Sequence, residues 1–250
     1  MQQALKGVIF SIQFLTRIPV RYACDPARVN VRVALICFPF VGLIIGLALY
    51  VSWYFLNSFM RLHEFTAAVI IVALETIITG AFHLDGLADT FDALLSPGTT
   101  AEQKLSIMKD SRIGVMGAVA LTLSLLLKCV LIAEILGRHH PEVLMLYPLV
   151  GRWTLVWFLF ISPYLRSSGI ASILAQNTDG KTVSGASLWL MLCIVILPSF
   201  LPAFIVLLAI LLLYRAYVHK QLGGITGDVL GAALIISEVV ILFLLTIFTR

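Results

Sequence analysis

An acidic segment between residues 80 and 92 concentrates one histidine and three carboxylates in ten residues. Asp85, Asp89 and Asp92 are spaced i, i+4 and i+7, so on a helix they fall within about 60° of one face. Three anions on one face repel each other, so this spacing predicts a cation between them. Carboxylate oxygens are the ligands that Mg²⁺ prefers, and Mg²⁺ commonly joins one or two carboxylates to substrate phosphates. We therefore expect a Mg²⁺ site at these aspartates; the alternative is a solvated acidic helix face.

A second polar segment, residues 223–228, carries three glycines and a threonine before the expected start of an apolar helix. Free backbone N–H groups at Gly223, Gly224 and Gly227, together with the positive end of a helix, suit a phosphate. Thr226 can cap that helix, and Asp228 adds a further oxygen ligand for the metal. Glycines also permit tight helix packing in membranes, so this segment becomes informative only when it is paired with the acidic one.

Two cations complete the residues expected to hold phosphate groups. The run Lys109-Asp110-Ser111-Arg112 precedes an apolar segment. It offers Arg112 as a planar fork and Lys109 as a point charge for a diphosphate. Acidic, basic and glycine-rich segments together indicate phosphoryl-group chemistry, in which a metal ion holds a diphosphate and a nucleoside monophosphate leaves.

The proton acceptor for such a reaction is open to two assignments. His83 or one carboxylate, such as Asp89, could take the proton from an attacking hydroxyl. On a continuous helix His83 lies opposite the aspartates, so its role requires irregular backbone near Gly80 or Gly86. Otherwise His83 is a structural or helix-start histidine.

The elements that must position these residues are apolar. Of 250 residues, 60% are hydrophobic and only 12% are charged, with a mean hydropathy of +1.04. A soluble domain has about 25% charged residues, so the composition indicates an integral membrane protein. The net charge of +4 fits cytoplasmic loop anchors rather than nucleic-acid binding. The four cysteines lack metal-ligand spacing and indicate neither a zinc site nor a disulfide framework.

The predicted fold class is all-α, a polytopic transmembrane helix bundle of about seven spans with an amphipathic N-terminal helix in residues 1–18. Each predicted span is long enough, or nearly so, to cross the hydrocarbon core. The spans are 33–57, 64–82, 113–136, 142–164, 186–200, 202–219 and 228–248. Pro198 and Pro202 make the fifth and sixth either a tight helical hairpin or a broken pair. We expect residues 1–250 to form a single membrane domain.

Lysine and arginine positions predict the orientation of these spans. With the N-terminus in the cytoplasm, twelve basic residues, including Arg21 and Arg28, fall in cytoplasmic segments. Arg61, Arg138 and Arg250 fall outside. This orientation places segments 80–114 and 220–232 and the 165–185 loop together on the cytoplasmic face.

Several charges lie inside the predicted spans, where facing lipid costs several kcal/mol. We therefore expect four of them, Glu75, Lys128, Arg152 and Glu238, to face the bundle interior or a wet cavity. The fifth, Glu134, lies near the end of its span and can instead extend to the membrane surface. For Lys128, Arg152 and Glu238, a structural ion pair and a substrate contact remain equally open. Glu75 can reach the acidic segment only if its helix breaks near Gly80.

At this point the sequence closely resembles the cobalamin synthase family, also called adenosylcobinamide-GDP ribazoletransferases. The resemblance covers nearly the whole chain and is highly specific as a combination. The residues that carry it are His83-Leu-Asp-Gly-Leu-Ala-Asp89 with Asp92, Ile107-Met-Lys-Asp-Ser-Arg-Ile-Gly114, Gly223-Gly-Ile-Thr-Gly-Asp228, Gly231-Ala232 and Glu238. The run Phe14-Leu-Thr-Arg-Ile-Pro-Val20, Lys128 and Arg152 fit it too, whereas Glu75 is not part of the pattern.

This resemblance implies the last assembly step of vitamin B12. A ribose hydroxyl of α-ribazole, or of its 5′-phosphate, attacks adenosylcobinamide-GDP, GMP leaves, and adenosylcobalamin or its 5′-phosphate forms. It also implies a Mg²⁺-dependent enzyme in the prokaryotic cytoplasmic (inner) membrane, surrounded by lipid and binding no nucleic acid. A homo-oligomer or a complex with other cobalamin-assembly enzymes stays open.

The combined hypothesis gives each candidate residue a role. The metal ligands are Asp85, Asp89, Asp92 and Asp228, and the catalytic residues are His83, Asp89 and Arg112. The substrate-binding residues are Lys109, Asp110, Arg112, Lys128, Arg152, Gly223, Gly224, Thr226, Gly227 and Glu238.

Two other functions remain as alternatives. A CDP-alcohol phosphatidyltransferase-like enzyme uses similar aspartates to release CMP, but Asp89 stands where its pattern has an arginine. An ion-coupled transporter would use the charges inside the spans, but it should show a repeat between halves, and the two polar segments are unlike each other.

Overall fold

In a computed structural model, the structure describes residues 2–20 and 29–249 and, apart from one isolated bridge, that part of the chain contains only helices as regular structure. The predicted all-α class is therefore confirmed. The expected cytoplasmic Arg21 and Arg28, and the external Arg250, lie outside the described residues. The helices are α1 (Gln2–Leu15), α2 (Val31–Ser58), α3 (Glu64–Thr79), α4 (Phe82–Leu94), α5 (Ala101–Ile107), α6 (Val115–Gly137), α7 (Val143–Ile161), α8 (Ile170–Gln176), α9 (Gly180–Ile196), α10 (Phe200–Leu222) and α11 (Gly227–Phe248).

The chain is a multi-pass membrane protein. Five helices, α2, α6, α7, α10 and α11, are long and apolar enough to cross a membrane, and there are up to seven spans if each of two bent pairs counts as one. The bent pairs are α3–α4 and α8–α9, with bends of 93° and 100°. The short apolar α1 precedes them, as predicted.

The fifth span begins earlier than predicted and the sixth begins close to its predicted start. Helix α9 begins at Gly180 because the Asp179 side chain accepts hydrogen bonds from the N–H and hydroxyl of Thr182, at 2.9 and 2.8 Å. Helix α9 ends at Ile196 and α10 begins at Phe200, so a short segment that contains Pro198 connects them.

The second predicted span, 64–82, ends earlier, at Thr79. Gly80 and Ala81 both adopt left-handed backbone angles, with φ of 65° and 59°. The backbone N–H of Arg17 donates to the Ile78 carbonyl at 2.7 Å, and the Arg17 side chain occupies the space that a Cβ on Gly80 would need. This turn aims α4, the acidic helix, almost perpendicular to α3.

Helices α2 and α7 form the centre of the bundle. A Cβ at Gly42 would overlap with the Pro148 carbonyl, and one at Gly46 would overlap with the backbone of Met145. Glycines four residues apart let helix backbones approach closely in membranes, where lipid tails remove most of the hydrophobic drive for association.

Contacts between helix ends define two ends of the bundle. Arg138 donates to the Thr246 carbonyl and joins the α6–α7 turn to the end of α11. At the opposite end, Arg215 Nε donates to the Ile161 carbonyl at 3.0 Å, and Lys104 Nζ donates to Gln221 at 2.5 Å. The segments after α5, after α7 and after α10 therefore lie at one end, as predicted. That this end faces the cytoplasm stays a prediction.

Candidate active site

The acidic helix α4 crosses the first turns of α11 at very short range. A Cβ on Gly86 would lie 2.8 Å from the Asp228 carbonyl, and one on Gly231 would lie 3.2 Å from the His83 carbonyl. Because neither glycine has a side chain, the two backbones meet and Asp228 is brought to the acidic helix.

Asp85 and Asp89 are the uncompensated carboxylates of this region. Asp85 is exposed and Asp89 is half-buried, and within the described part of the chain neither side chain makes a hydrogen bond or ion pair. Asp89 is repelled by Asp85, Asp228 and Asp92 and attracted by Arg166. Such a site favours a bound cation, because three carboxylates repel Asp89 whereas one arginine attracts it.

Asp92, which the sequence predicted as a metal ligand, differs from Asp85 and Asp89 because it accepts hydrogen bonds from the protein. Its Oδ2 accepts from the N–H of Gly114 at 2.7 Å and its Oδ1 from the N–H of Gly117 at 2.8 Å. The carboxylate thereby caps α6, where a negative charge is also favourable for the helix dipole. Both oxygens are occupied by backbone donors.

Asp228 is also engaged. Its Oδ2 accepts from Arg166 Nη2 at 2.7 Å and from the Thr226 hydroxyl at 3.3 Å. Across residues 2–20 and 29–249, no three His, Cys, Asp or Glu side chains are grouped closely enough to hold a metal ion. The four-aspartate site predicted from sequence is therefore reduced to two free carboxylates. Two still fit Mg²⁺, which commonly takes one or two carboxylates and completes its coordination with water and substrate phosphates.

The backbone of the glycine-rich segment, residues 223–228, requires glycine at two positions. Gly223 ends α10 with φ of 82°, and a Cβ on Gly224 would lie 2.5 Å from the Pro163 carbonyl. Ile225 forms a bridge with the 163–165 segment: its N–H donates to the Pro163 carbonyl and its carbonyl accepts from Leu165, each at 2.9 Å.

Thr226 caps α11, as predicted, and its predicted contact with substrate stays a prediction. It is fully buried, and its hydroxyl accepts from the Val229 N–H at 3.3 Å to cap α11. Gly224 is buried as well, whereas Gly227, predicted to bind phosphate, is half-buried beside Asp228. The segment therefore fixes the start of α11 and so the position of Asp228.

The two predicted phosphate-binding cations lie in separate depressions. Lys109 lines one with Arg166 and Ser167, whereas Arg112 lines another with Asp110. Arg112 is largely exposed and bonds Asp110 through Nη2, at 2.6 Å. This hydrogen bond lowers the pKa of Asp110 to about 2. Arg166 was missed by the sequence reasoning; its position just after a span, on the predicted site face, is the signal that could have found it.

His83 is separated from the aspartates, contrary to its predicted catalytic role. Helix α4 is regular from Phe82 to Leu94, so the irregular backbone lies before His83, at Ala81, and cannot turn it toward Asp85. The imidazole is only 4% exposed and its Nδ1 has no hydrogen-bond partner. A buried histidine on the other side of the helix is badly placed to take a proton from a hydroxyl at the aspartates.

The charges inside the spans form a buried charge network of Glu75, Lys128, Arg152 and Glu238 with Tyr147. Lys128 Nζ bonds Glu75 at 2.7 Å and Glu238 at 2.6 Å, and Arg152 bonds the other oxygen of Glu238. The Tyr147 hydroxyl donates to Glu75 at 2.9 Å. Two carboxylates therefore neutralise two cations, and the structure favours the ion-pair interpretation of Lys128, Arg152 and Glu238 over substrate contact.

Glu75 is the network member that the sequence hypothesis set aside. Its helix does break near Gly80, but the side chain turns to Lys128 and not to the acidic helix. Its position near the middle of an apolar helix was the available signal. Gly151 lets α11 approach, because a Cβ there would lie 2.7 Å from Glu238.

Comparison with known proteins agrees with the motifs. Residues 7–246 match the family described as cobalamin-5-phosphate synthase. The chain belongs to this family. An adenosylcobinamide-GDP ribazoletransferase of Pseudomonas paraeruginosa is 35% identical over 99% of this chain and 100% of its own length. The Pseudomonas aeruginosa enzyme of that name is 34% identical with the same coverage, and one from Pseudomonas putida is 35% identical over 92% of this chain and 94% of its own. No solved structure matches.

Membership of the cobalamin-5-phosphate synthase family covers both charged regions, since the match extends from α1 to α11. The residues that carried the resemblance are thus divided here between two regions of the molecule. Asp85, Asp89 and Lys109 lie at the surface end of the bundle, while Lys128 and Glu238 lie in its interior. Neither a phosphatidyltransferase nor a transporter is favoured by these comparisons.

Proposed function

We propose that this protein joins adenosylcobinamide-GDP to α-ribazole or its 5′-phosphate, releases GMP, and forms adenosylcobalamin or its 5′-phosphate. A ribose hydroxyl attacks the phosphorus next to the cobinamide, its proton is removed, and the bond to the GMP oxygen breaks. The observation that carries this proposal is the near full-length similarity to relatives named adenosylcobinamide-GDP ribazoletransferase. The free carboxylates beside cations at one end of the bundle support it.

Within this function, Asp85 and Asp89 are the proposed Mg²⁺ ligands. They are the carboxylates of the acidic region without a protein partner, and they lie one helical turn apart. Bound Mg²⁺ would supply charge neutralisation for the diphosphate. Asp228 is close enough to repel Asp89 but is held by Arg166, so it completes the electrostatic environment rather than the ligand set.

Lys109 and Arg166 are the proposed contacts for the diphosphate. They line one depression together with Ser167 and Ser168, and Arg166 is close enough to Asp89 to attract its charge. An arginine can bind two phosphate oxygens at once, and a lysine adds a mobile positive charge. Arg112, bound to Asp110 in a neighbouring depression, is a secondary candidate.

Asp89 is the proposed acceptor of the hydroxyl proton. It is half-buried, and burial together with the charges of Asp85, Asp228 and Asp92 favours its protonated form. This assignment replaces His83, which lies in the interior.

We further propose a location in the prokaryotic cytoplasmic membrane with the N-terminus and the active site inside. The excess of lysine and arginine at that end of the bundle supports this orientation. Leucines of α6 and α10 that are exposed, such as Leu123, Leu126 and Leu213, provide the surface for membrane lipid. Assembly into a homo-oligomer or with other cobalamin-assembly enzymes stays a prediction.

The test uses purified protein in liposomes with adenosylcobinamide-GDP and α-ribazole 5′-phosphate. GMP release is followed with and without EDTA, and with and without the ribazole. We expect GMP only when ribazole and metal are both present, and excess Mg²⁺ should restore an EDTA-treated sample. GMP without a ribazole requirement would indicate hydrolysis, and absence of GMP from folded protein would contradict the proposal.

A further inference from the structure

An apolar cavity adjoins the acidic helix on the side of His83. Phe14 of α1, Phe38 of α2 and Phe82 of α4 form an aromatic wall, with ring centroids of Phe14 5.8 Å from Phe38 and 6.0 Å from Phe82. Leucines and small residues of α7, α8 and α11 form the rest of the lining. Flat apolar rings pack well against such walls.

His83 is the polar side chain of this lining. The other lining residues within the described part of the chain are apolar or glycine. The imidazole is 96% buried, since 4% is exposed, and its Nδ1 has no hydrogen-bond partner. Leaving a buried polar atom unpaired costs about 1–3 kcal/mol, so this atom is a reason to look for a ligand.

The cavity borders elements that also carry residues of the acidic region. Gly227, at the start of α11, lines it, and the next residue is Asp228, whose charge repels that of Asp89. Ala171, also in the lining, belongs to α8, which follows the segment that contains Arg166. A group attached to a molecule in the cavity can therefore extend past Gly227 in the direction of Asp228.

We propose that this cavity binds the 5,6-dimethylbenzimidazole ring of α-ribazole, with His83 donating a hydrogen bond to the free ring nitrogen. The inference rests on the proposed function and adds the position of one substrate. A neutral imidazole carries one N–H donor, and the glycosylated benzimidazole has one nitrogen acceptor and otherwise only apolar atoms. The ribose then extends past Gly227 toward Asp89.

The guanine of the other substrate does not fit the same lining. Guanine carries several donors and acceptors on its edge, and a cavity with one polar side chain would leave most of them unpaired. Each unpaired group costs roughly 1–3 kcal/mol, so the dimethylbenzimidazole is the ring that the cavity favours.

The first test needs no catalysis. Binding of free 5,6-dimethylbenzimidazole and of 5,6-dimethylindole, which has a carbon in place of the acceptor nitrogen, is measured by equilibrium dialysis with the wild-type protein. We expect the benzimidazole to bind about tenfold more tightly, and His83→Leu to remove the preference. No binding of the benzimidazole, or equal binding of both rings by the wild type, would overturn the inference.

The second test separates this subsite from the active site as a whole. Ala171→Phe fills the cavity, and Ile173→Phe, on an exposed face of the same helix, is the matched control. We expect Ala171→Phe to raise the KM for α-ribazole at least about tenfold while the KM for adenosylcobinamide-GDP changes less than about twofold. Ile173→Phe should change neither.

Failure of the inference and failure of the proposed function give different results. If the wild type releases ribazole-dependent GMP and the KM for α-ribazole is the same in Ala171→Phe, the subsite is elsewhere although the function stands. If the wild type binds 5,6-dimethylbenzimidazole but forms no GMP, the cavity assignment stands and the reaction is wrong. Thermal melting of each variant confirms that the protein compared is folded.

Discussion

The acidic region of α4 and the buried charge network use charged residues in opposite ways. Asp85 and Asp89 lie at the surface and, within the described residues, have no cation or donor of their own. In the network, Lys128 and Glu238 are each almost fully buried and each bond two partners or more. One region leaves charge uncompensated where solvent and substrate can reach it; the other neutralises it where they cannot.

This difference separates chemistry from architecture in an apolar chain. A charge in the bilayer interior costs several kcal/mol unless it is paired, so the network must be complete to be tolerated. Repulsion among exposed carboxylates costs less and is relieved when a cation or a proton binds. The buried charge network joins α3, α6, α7 and α11, whereas the acidic region prepares a site.

The largest expected effect concerns the acidic region, where Asp85 and Asp89 lie. Asp85→Asn and Asp89→Asn each remove a proposed metal ligand and should lower kcat by about a thousandfold or more, because metal neutralisation of a diphosphate contributes several kcal/mol. GMP release at saturating Mg²⁺ measures the loss. Melting temperatures should stay at or above that of the wild type, since each change reduces repulsion. Near-normal turnover of both variants would refute the metal assignment.

Breaking the buried charge network should affect folding more than it affects turnover. Lys128→Met leaves Glu75 and Glu238 buried without their shared cation, and loss of one partner from a buried pair costs about 3–5 kcal/mol. We expect a lower melting temperature and poor recovery in detergent, with GMP release per folded molecule reduced much less.

A double replacement, Lys128→Met with Glu75→Gln, sharpens this test. Removing one charge of each sign preserves neutrality, and the Glu238–Arg152 pair remains. The double variant should therefore be more stable than Lys128→Met alone. If it is less stable by the sum of both single changes, the two groups are not coupled in the native protein.

A smaller effect compares the two surface arginines. Arg166→Ala removes a cation from the proposed diphosphate depression and should lower kcat/KM for adenosylcobinamide-GDP about 10- to 100-fold, the range of a charged hydrogen bond. Arg112→Ala removes a much more exposed cation from the neighbouring depression and should cost about threefold or less. If Arg112→Ala lowered kcat/KM more than Arg166→Ala, Arg112 and not Arg166 would be the contact for the diphosphate.

The smallest expected effect concerns Asp92. Asn at this position keeps one acceptor for the start of α6, so Asp92→Asn should cost about 1 kcal/mol of stability and leave kcat within about threefold. Asp92→Ala removes both acceptors and should lower the melting temperature further. Loss of turnover in Asp92→Asn with unchanged stability would show instead that Asp92 is a metal ligand.

Hydropathy predicted the fold well because membrane spans must be long and apolar. Six predicted spans begin within two residues of the corresponding helix, and the exception, the fifth, depended on the cap at Asp179. Caps are short polar signals inside loops, and they weigh little in a hydropathy profile. The sequence indicated a break near Gly80 only as the condition under which Glu75 or His83 could reach the aspartates.

The candidate site was predictable in its residues but not in its partners. Spacing alone placed Asp85, Asp89 and Asp92 on one face, and it could not show that Asp92 is used by the backbone of α6. Contacts across more than 60 residues, such as that of Arg166 with Asp228, leave no periodic signal in a single sequence. Long-range ion pairs are therefore where sequence reasoning ended.

The glycine contact between α2 and α7 has a consequence for how the protein moves. Backbones that meet at Gly42 and Gly46 without intervening side chains have no compressible layer, so these two helices form the static axis of the molecule. Any opening that admits a corrinoid substrate must then come from elements attached to the axis at one end. Helix α8, which carries one wall of the cavity beside His83, is such an element, whereas α4 is held against α11 at Gly86 and Gly231.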